Sequence, residues 1–331
     1  MRRLSQAVRV AWRLAPVVGC LLLGGGRGPG PAPAAAAEAA VPTLKFLWAA
    51  PTNPRDKTFR SPQGLAFDAT RQRLYVADTN GNRIVALNEA GVFLYDFKHW
   101  VRLPQGQRTL GQPWQLLPGN GGTLLVGDQL SSVIDVVDAL GNVVDGVDLQ
   151  AILGQTSAVV PGGMGRDEAG NLYVVDQEAA RIIVLSPARR LLRSWGGRGP
   201  GEGQFDTIAG LAVAADGTSY VLDLMQNPVV QVFDPTGKRI AGFGRHGDKE
   251  ADFHMPAALT LDQAGRLWIA DSVSQDVKAY TVDGKYLADF GGMGLGPGEF
   301  YFPSDVLATA DRLYVLERAG ARLQAFRIVG S

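Results

Sequence analysis

The pentapeptide Leu74-Tyr75-Val76-Ala77-Asp78 is the first of six copies of one pattern, a short apolar segment that ends in an acidic residue. The acidic residues are spaced by 50, 48, 47, 48 and 46 residues, and they are Asp78, Asp128, Asp176, Asp223, Asp271 and Glu317. Each copy is rich in Leu, Val, Ile and aromatic residues, which favour strands. A period of this length is typical of propellers and other repeat folds.

Each repeat contains enough chain for four short strands. A third strand follows the acidic residue, as in residues 83–87, and a turn such as residues 234–238 leads to a fourth strand that ends on an aromatic residue. Four strands in 46 to 50 residues, repeated six times, predict an all-β fold, the six-bladed β-propeller. This single domain accounts for residues 41–331.

The two ends of the domain complement each other. After Glu317 the last repeat has room for only one more strand, whereas residues 44–48 form a lone strand before the first repeat. We therefore expect the N-terminal strand to complete the last blade, three strands plus one. Such closure also pairs a strand edge that would otherwise invite aggregation.

The repeat resembles the NHL repeat. The similarity is strongest in residues 59–68 and 74–84, and it extends to the glycine-rich connectors, where a glycine precedes a phenylalanine by nine residues. These pairs are Gly196 and Phe205, Gly244 and Phe253, and Gly291 and Phe300. The resemblance covers residues 44–331 and implies a six-bladed propeller of the secreted bacterial type. Proteins of this family include protein-binding modules, RNA-binding modules and the peptide-amidating lyase.

Residues 1–40 are typical of an export signal. Four arginines precede an apolar run of ten residues, residues 14–23, and a tract rich in Gly, Pro and Ala follows. We therefore expect a secreted or periplasmic protein of the cell envelope. Residues 17–20, Val-Val-Gly-Cys, also resemble a bacterial lipoprotein box, so a lipid anchor at Cys20 is the alternative and the only membrane attachment that we predict.

The charge balance argues against nucleic acid as a partner. Lys+Arg and Asp+Glu both number 32, and without residues 1–40 the net charge is −4. Nucleic-acid binding relies on a basic surface, which this composition does not provide.

Cys20 is the only cysteine, so no intrachain disulfide can form. We expect a monomer.

The acidic residue of the repeat has a structural explanation. It ends a strand and begins a tight turn, where a carboxylate can accept backbone N–H groups. Residues 78–82 also imitate the start of a calcium loop, but the downstream Glu is missing.

Three histidines are available for zinc, and two of them lie in one connector. We predict no cofactor, no metal ligand and no catalytic residue, with calcium or zinc as the alternative.

One face of the propeller carries the features that differ between blades. We call it the top face, the face at which the second strands end and the chain passes from blade to blade. One position of the first strand differs between blades. It lies two residues after the start of the repeat, which is Pro62 in blade one, and it is small in four blades and polar in two, at Gln115 and Asp305. Residues 99–104, which lie in the longest connector, combine a histidine, a tryptophan and an arginine, a composition typical of interface hot spots.

These observations favour a binding or scaffold module that recognises a protein or peptide through the loops of its top face. The alternative is a metal-dependent hydrolase or lyase at the channel mouth, similar to gluconolactonases or the amidating lyase, with Asp305, Glu317 and Gln115 as its polar groups. The candidate binding residues are His99, Trp100, Arg102, Trp114, Gln115, Arg166, His246, His254, Asp305, Glu317 and Arg318.

Overall fold

Six antiparallel sheets of four strands each surround a central channel. The computed structural model describes residues 41–50, 52–53, 57–103 and 106–330. The predicted leader and Cys20 lie outside these residues. Within them, no helix is long and apolar enough to cross a membrane. The predicted all-β six-bladed propeller with four-stranded blades is confirmed.

The first half of the chain contributes an N-terminal strand, three blades, two small hairpins and a short helix. The N-terminal elements are β1 (Thr43–Ala50), β2 (Thr52–Asn53) and β3 (Lys57–Thr58). Blade one is β4 (Gly64–Asp68), β5 (Arg73–Asp78), β6 (Arg83–Asn88) and β7 (Phe93–Lys98). A hairpin of β8 (Trp100–Arg102) and β9 (Arg108–Leu110) follows. Blade two is β10 (Pro113–Pro118), β11 (Leu124–Asp128), β12 (Val133–Val137) and β13 (Val143–Asp148), followed by helix α1 (Leu149–Leu153). Blade three is β14 (Pro161–Arg166), β15 (Leu172–Asp176), β16 (Arg181–Leu185) and β17 (Leu191–Gly196).

The second half contributes three further blades. Blade four is β18 (Ile208–Val213), β19 (Ser219–Asp223), β20 (Val230–Phe233) and β21 (Arg239–Phe243). Blade five is β22 (Pro256–Leu261), β23 (Arg266–Asp271), β24 (Asp276–Thr281) and β25 (Tyr286–Gly291). Blade six is β26 (Pro303–Ala308), β27 (Arg312–Glu317) and β28 (Arg322–Val329), with β1 as its fourth strand.

The ring closes between the two ends of the domain, as the sequence predicts. Strand β1 pairs antiparallel with β28, from Thr43 opposite Val329 to Ala50 opposite Leu323. The order of strands in this sheet is β1-β28-β27-β26, so three strands come from the C-terminus and one from the N-terminus. Backbone hydrogen bonds therefore hold the first and last blades in one closed ring.

The hydrophobic core is divided among the interfaces between neighbouring blades. Six clusters of buried side chains lie there, one for each pair of neighbours. Leu74 and Val76 of blade one, for example, pack with Tyr314 and Leu316 of blade six. Second and third strands supply most of these residues because both of their faces are covered by neighbouring blades. The first strands are left to line the channel.

The glycine-rich connectors carry one anchoring phenylalanine each. Phe205, Phe253 and Phe300 are buried, and each forms a parallel bridge back to the start of its connector. The preceding glycine must lack a side chain. At Gly291 the backbone φ is 111°, and a Cβ there would lie 2.4 Å from Cδ2 of Phe300. This explains the nine-residue spacing of glycine and phenylalanine that is visible in the sequence.

Candidate functional site

Two cavities share the axis of the propeller. The inner one, which we call the channel cavity, is lined by first-strand residues that include Gly163, Gly210, Ala258 and Asp305, and its volume is about 170 Å³. The outer one, the mouth pocket, opens at the top face with a volume of about 220 Å³. Gln115 lines both cavities. Small first-strand residues thus leave a funnel, with Gln115 and Asp305 as polar exceptions.

The mouth pocket combines apolar walls with neutral amides and one cation. The apolar side chains include Trp114, Ile208, Leu224 and Met255. The amides belong to three glutamines, and the charged group is the guanidinium of Arg318. The complete lining is Gln63, Trp114, Gln115, Gln177, Thr207, Ile208, Ala209, Leu224, Met255, Pro256, Ala257, Ala258, Ser272, Ser304 and Arg318. A largely apolar pocket with a few polar groups is the usual form of a ligand site.

Arg318 departs from the structural rule of its position. It directly follows the acidic residue of the repeat, and in blades one, three and five the side chain at this position donates a hydrogen bond to a carbonyl at the start of the next blade. These pairs are Thr79 with Pro113, Gln177 with Ile208 and Ser272 with Pro303, at 2.9, 2.9 and 2.5 Å. In blade six the guanidinium is exposed, and no hydrogen bond or ion pair engages it within the described ranges. It is therefore available to a ligand.

An apolar rim lies at the top face around this pocket. Leu130, Met225 and Val273 occupy the second position after the acidic residue in their blades, and Met255 lines the pocket itself. These four side chains are between 38% and 65% exposed. Because unpaired apolar groups grouped beside a pocket favour contact with another molecule, the rim extends the binding surface beyond the pocket.

Asp305 is the acidic group of the channel cavity. Its Oδ2 accepts a hydrogen bond from the backbone N–H of Leu65 at 2.7 Å, and its Oδ1 accepts one from the N–H of Val306 at 2.8 Å. Burial raises the pKa of this carboxyl to about 7, although the two hydrogen bonds act in the opposite direction. The group can therefore exchange a proton near neutral pH.

The top-face histidines and their neighbours are distributed over separate places. His99, Trp100 and Arg102 line a different pocket, beside blades one and two. His246 and His254 lie in the connector between blades four and five. The ring of His254 contacts Ser274 Oγ and Asp248 Oδ1 at 2.8 and 3.2 Å, and His246 donates its backbone N–H to Asn227 Oδ1. Across the described residues, no three side chains of His, Cys, Asp or Glu are placed to hold a metal ion.

The predicted position of Glu317 at the channel mouth is wrong. Its carboxylate is buried and accepts hydrogen bonds from the backbone N–H of Tyr301, Nε of Arg322 and Nε2 of Gln324, at 2.9, 2.6 and 2.8 Å. The other acidic residues of the repeat are buried as well. Asp271, for example, accepts four backbone N–H groups. Glu317 thus joins a connector to its blade and presents no group to a ligand.

The predicted position of Arg166 on the top face is also wrong. Strand β14 begins at the top face, where Pro161 lies opposite Asp176, and it ends with Arg166 opposite Leu172. Arg166 is therefore on the other face of the propeller. Its guanidinium donates a hydrogen bond to the carbonyl of Pro118 at 3.1 Å. A residue five positions after the start of a first strand cannot reach the top face.

The comparison with known families agrees with this geometry. The sequence profile of the NHL repeat matches residues 59–87, which contain β4, β5 and most of β6. The chain is a six-bladed β-propeller in which one segment of blade one matches the NHL repeat. Among curated proteins it is similar to "Protein SUPPRESSOR OF QUENCHING 1, chloroplastic" of Arabidopsis thaliana, with 26% identity over an alignment that covers 66% of this chain. The chain spans only 24% of the length of that relative.

Solved propeller structures share the fold at low sequence identity. The virginiamycin B lyase of Staphylococcus aureus has a TM-score of 0.57 and 12% identity, covering 87% of this chain and 100% of that one. The gluconolactonase XC5397 of Xanthomonas campestris has a TM-score of 0.58 and 16% identity, covering 89% and 99%. A luciferin-regenerating enzyme has a TM-score of 0.58 and 16% identity, covering 87% and 95%. At this identity the likeness shows the propeller fold alone.

Proposed function

We propose that this NHL-repeat propeller is a binding module that holds a segment of another protein across its top face. In this proposal a carboxylate of the bound segment enters the mouth pocket and pairs with Arg318. The observation that carries the proposal is the unpaired, exposed guanidinium at the mouth of a largely apolar pocket. Arg pairs with carboxylates through two parallel hydrogen bonds, which supply both affinity and orientation.

The surroundings of Arg318 suit a peptide better than a small polar solute. The rim of Leu130, Met225, Met255 and Val273 offers exposed apolar area next to the pocket. Trp114 and the glutamine amides of the pocket can contact the side chains and backbone of an extended chain. Binding energy at interfaces concentrates in a few aromatic and arginine residues, which matches Trp114 and Arg318. The closed ring holds these loops in place before binding.

The rest of the proposal concerns where the module acts. We place it outside the cytoplasm, as a secreted or periplasmic protein or as one anchored by a lipid at Cys20. It acts as a monomer, without a cofactor and without nucleic acid. The location rests on the export-like residues 1–40, and the exclusion of nucleic acid rests on the net charge of −4 without them.

A second candidate function is a hydrolase or lyase that works in the channel. Asp305 favours it, because a carboxyl with a pKa near 7 can act as a general acid or base at neutral pH. Two of the similar folds carry the names of a virginiamycin B lyase and a gluconolactonase. A metal-dependent version is less well supported, since the described part of the chain offers no trio of metal ligands.

A peptide-display experiment tests the binding module. The purified chain is used to select from a random peptide library, and the selected peptides are measured by calorimetry against the parent protein and three variants. We expect acidic peptides to be enriched, Arg318→Gln to weaken binding by about ten- to hundredfold, and Arg318→Lys to retain part of it. Arg327→Gln is the matched control because Arg327 is an exposed arginine at the opposite end of blade six. Equal affinities of Arg318→Gln and the parent protein would contradict the proposal.

A separate assay addresses the enzyme. The chain is incubated with gluconolactone and with virginiamycin B, with and without added calcium or magnesium. The second candidate predicts turnover that Asp305→Asn abolishes. The enzyme candidate is overturned if turnover survives in Asp305→Asn or if neither substrate is turned over.

A further inference from the structure

A second pocket lies away from the channel, beside blades one and two, and we call it the side pocket. The hairpin of β8 and β9 forms one wall, and strands β7, β12 and β13 contribute the others. Its volume is about 630 Å³, within the range of small-molecule sites. The lining residues are Lys98, His99, Trp100, Arg102, Arg108, Asp135, Gly141, Asn142 and Val143.

At and below the floor of the side pocket lie buried polar atoms that lack hydrogen-bond partners. His99 Nε2 lies 3.4 Å from Asp128 Oδ2 and 3.6 Å from Asp135 Oδ2. The His99 and Asp128 side chains are at most 1% exposed, and in the described structure neither His99 Nε2 nor Asp128 Oδ2 has a hydrogen-bond partner. The backbone accommodates them at Gly111, where a Cβ would lie 2.3 Å from Asp128 Oδ2. Buried polar atoms without partners are rare, so this group calls for a donor from outside the chain.

The charges on the floor favour a cationic donor. Burial lowers the pKa of His99 to about 4, so its imidazole is neutral at neutral pH. Burial, with the charge of Asp128 in addition, raises the pKa of Asp135 to about 6, against the attraction of Arg108. Asp135 is therefore mainly ionised at pH 7.5, and no cation bonds directly to it or to Asp128 within the described residues.

The rim of the same pocket carries the opposite charge. Arg102 and Arg108 are exposed, and neither forms an ion pair within the part of the chain that the structure describes. The Arg108 guanidinium lies over the ring of Trp100, 5.8 Å from its centroid, and Trp100 is itself partly exposed. Lys98 is engaged, since its Nζ donates to the carbonyl of Gly81 at 2.7 Å. Two guanidinium groups are thus available above an acidic floor.

We propose that the side pocket binds a free α-amino acid. The ammonium group of the ligand donates to Asp135 and to His99 Nε2 on the floor, and its carboxylate pairs with Arg102 and Arg108 at the rim. The ligand side chain packs against Trp100 and Val143. This arrangement uses the His99 tautomer with its proton on Nδ1, which leaves Nε2 free to accept.

Other ligand classes fit the acidic floor and the basic rim of the side pocket less well. A simple anion would meet Asp135 below the arginines, and a simple cation would have to pass Arg102 and Arg108. A metal ion needs three converging ligands, and no such trio is found among the described residues. A zwitterion satisfies both layers at once, because its two charges are separated in the same direction as those of the pocket.

Calorimetry on the purified full chain at pH 7.5 tests the proposal. The twenty L-amino acids are titrated one by one, and L-phenylalanine is the first probe because it can stack on Trp100. For each binder, the N-acetyl derivative removes the ammonium charge and the amide derivative removes the carboxylate. We expect both derivatives to bind about ten- to hundredfold more weakly than the parent amino acid.

Variants assign the binding to this pocket. Asp135→Asn and Arg108→Gln are each expected to weaken binding about tenfold or more, and Arg327→Gln, at an exposed arginine of blade six, is the control that leaves it unchanged. The proposal is overturned if no amino acid binds, if either derivative binds as well as its parent, or if Asp135→Asn binds normally. Stoichiometric zinc or manganese that Asp135→Asn releases would also overturn it, in favour of a metal site.

Discussion

His99 Nε2 lies 3.4 Å from Asp128 Oδ2 inside the protein, and neither atom has a hydrogen-bond partner in the described structure. Burial lowers the pKa of His99 to about 4 and raises that of Asp128. Burial is thus the main cause of both shifts, and it keeps the imidazole neutral while it disfavours the carboxylate. As the pH falls, protonation of His99 therefore lowers the stability of the folded protein, whereas protonation of Asp128 raises it.

Replacing His99 should change how stability depends on pH. The unfolded histidine takes up a proton below its usual pKa of about 6.5, whereas the folded one does so only near 4, so His99 removes stability as the pH falls from 6.5 to 4. His99→Gln abolishes this loss. We expect its free energy of unfolding to rise relative to the parent protein by about 1.5 kcal/mol between pH 6.5 and pH 5.

Urea denaturation at a series of pH values measures this difference. His254→Gln is the control, because His254 is exposed and its ring contacts Ser274 and Asp248 at the surface. A constant difference between His99→Gln and the parent protein from pH 6.5 to pH 5 would show that His99 is not held neutral by burial.

Asp305 should titrate near neutral pH. Its pKa is raised to about 7 by burial, so between about pH 4 and pH 7 the folded protein binds more protons than the unfolded chain. Stability from this group is therefore greatest at low pH and is lost as the pH rises through 7. Carbon-13 NMR of the aspartate carboxyl groups should show one midpoint near 7 that is missing in Asp305→Asn. A midpoint below 5 for Asp305 would contradict the buried environment.

The acidic residue of the repeat should contribute far more to the free energy of unfolding than an exposed aspartate does. Asp271 accepts hydrogen bonds from four backbone N–H groups, of His254, Met255, Val273 and Ser274, at 2.7 to 3.0 Å. Asp271→Ala leaves these donors without their acceptor, and we expect a loss of about 3 kcal/mol or more in the free energy of unfolding. Asp283→Ala, at an exposed hairpin turn, should cost less than about 1 kcal/mol. Chemical denaturation of both variants makes the comparison, and equal losses would contradict this role.

The sequence predicts the blades well because their determinants are local and repeated. The pattern of Leu74 to Asp78 recurs in every blade, and the lone strand at residues 44–48 indicates how the ring closes. Both features follow from strand periodicity and from the need to pair strand edges, and both can be recognised in a single sequence.

The candidate site is predicted only in part, because its members come together through three-dimensional packing. Trp114, Gln115 and Arg318 do meet at the mouth pocket. Glu317, however, is drawn into the core by Arg322 and Gln324, a partnership that the position of Glu317 in the repeat could have indicated. Nothing in the local sequence singles out Asp135, since it lies in the middle of β12 and approaches His99 only through the packing of blades one and two.

Removal of the closing strand should destroy the cooperative fold. Strand β1 supplies the backbone partner of β28 along seven paired positions, and Ala50 is packed in the cluster between blades one and six. Deletion of residues 41–50 exposes the long β28 edge and opens that cluster. We expect the variant to aggregate or to melt at least about 10 °C lower, a shift that corresponds to several kcal/mol for a domain of this size. A variant that lacks residues 1–40 but keeps 41–50 is the control and should melt like the parent protein. Size-exclusion chromatography and thermal denaturation measure both effects, and a monomeric deletion variant with unchanged melting would show that the ring holds without β1.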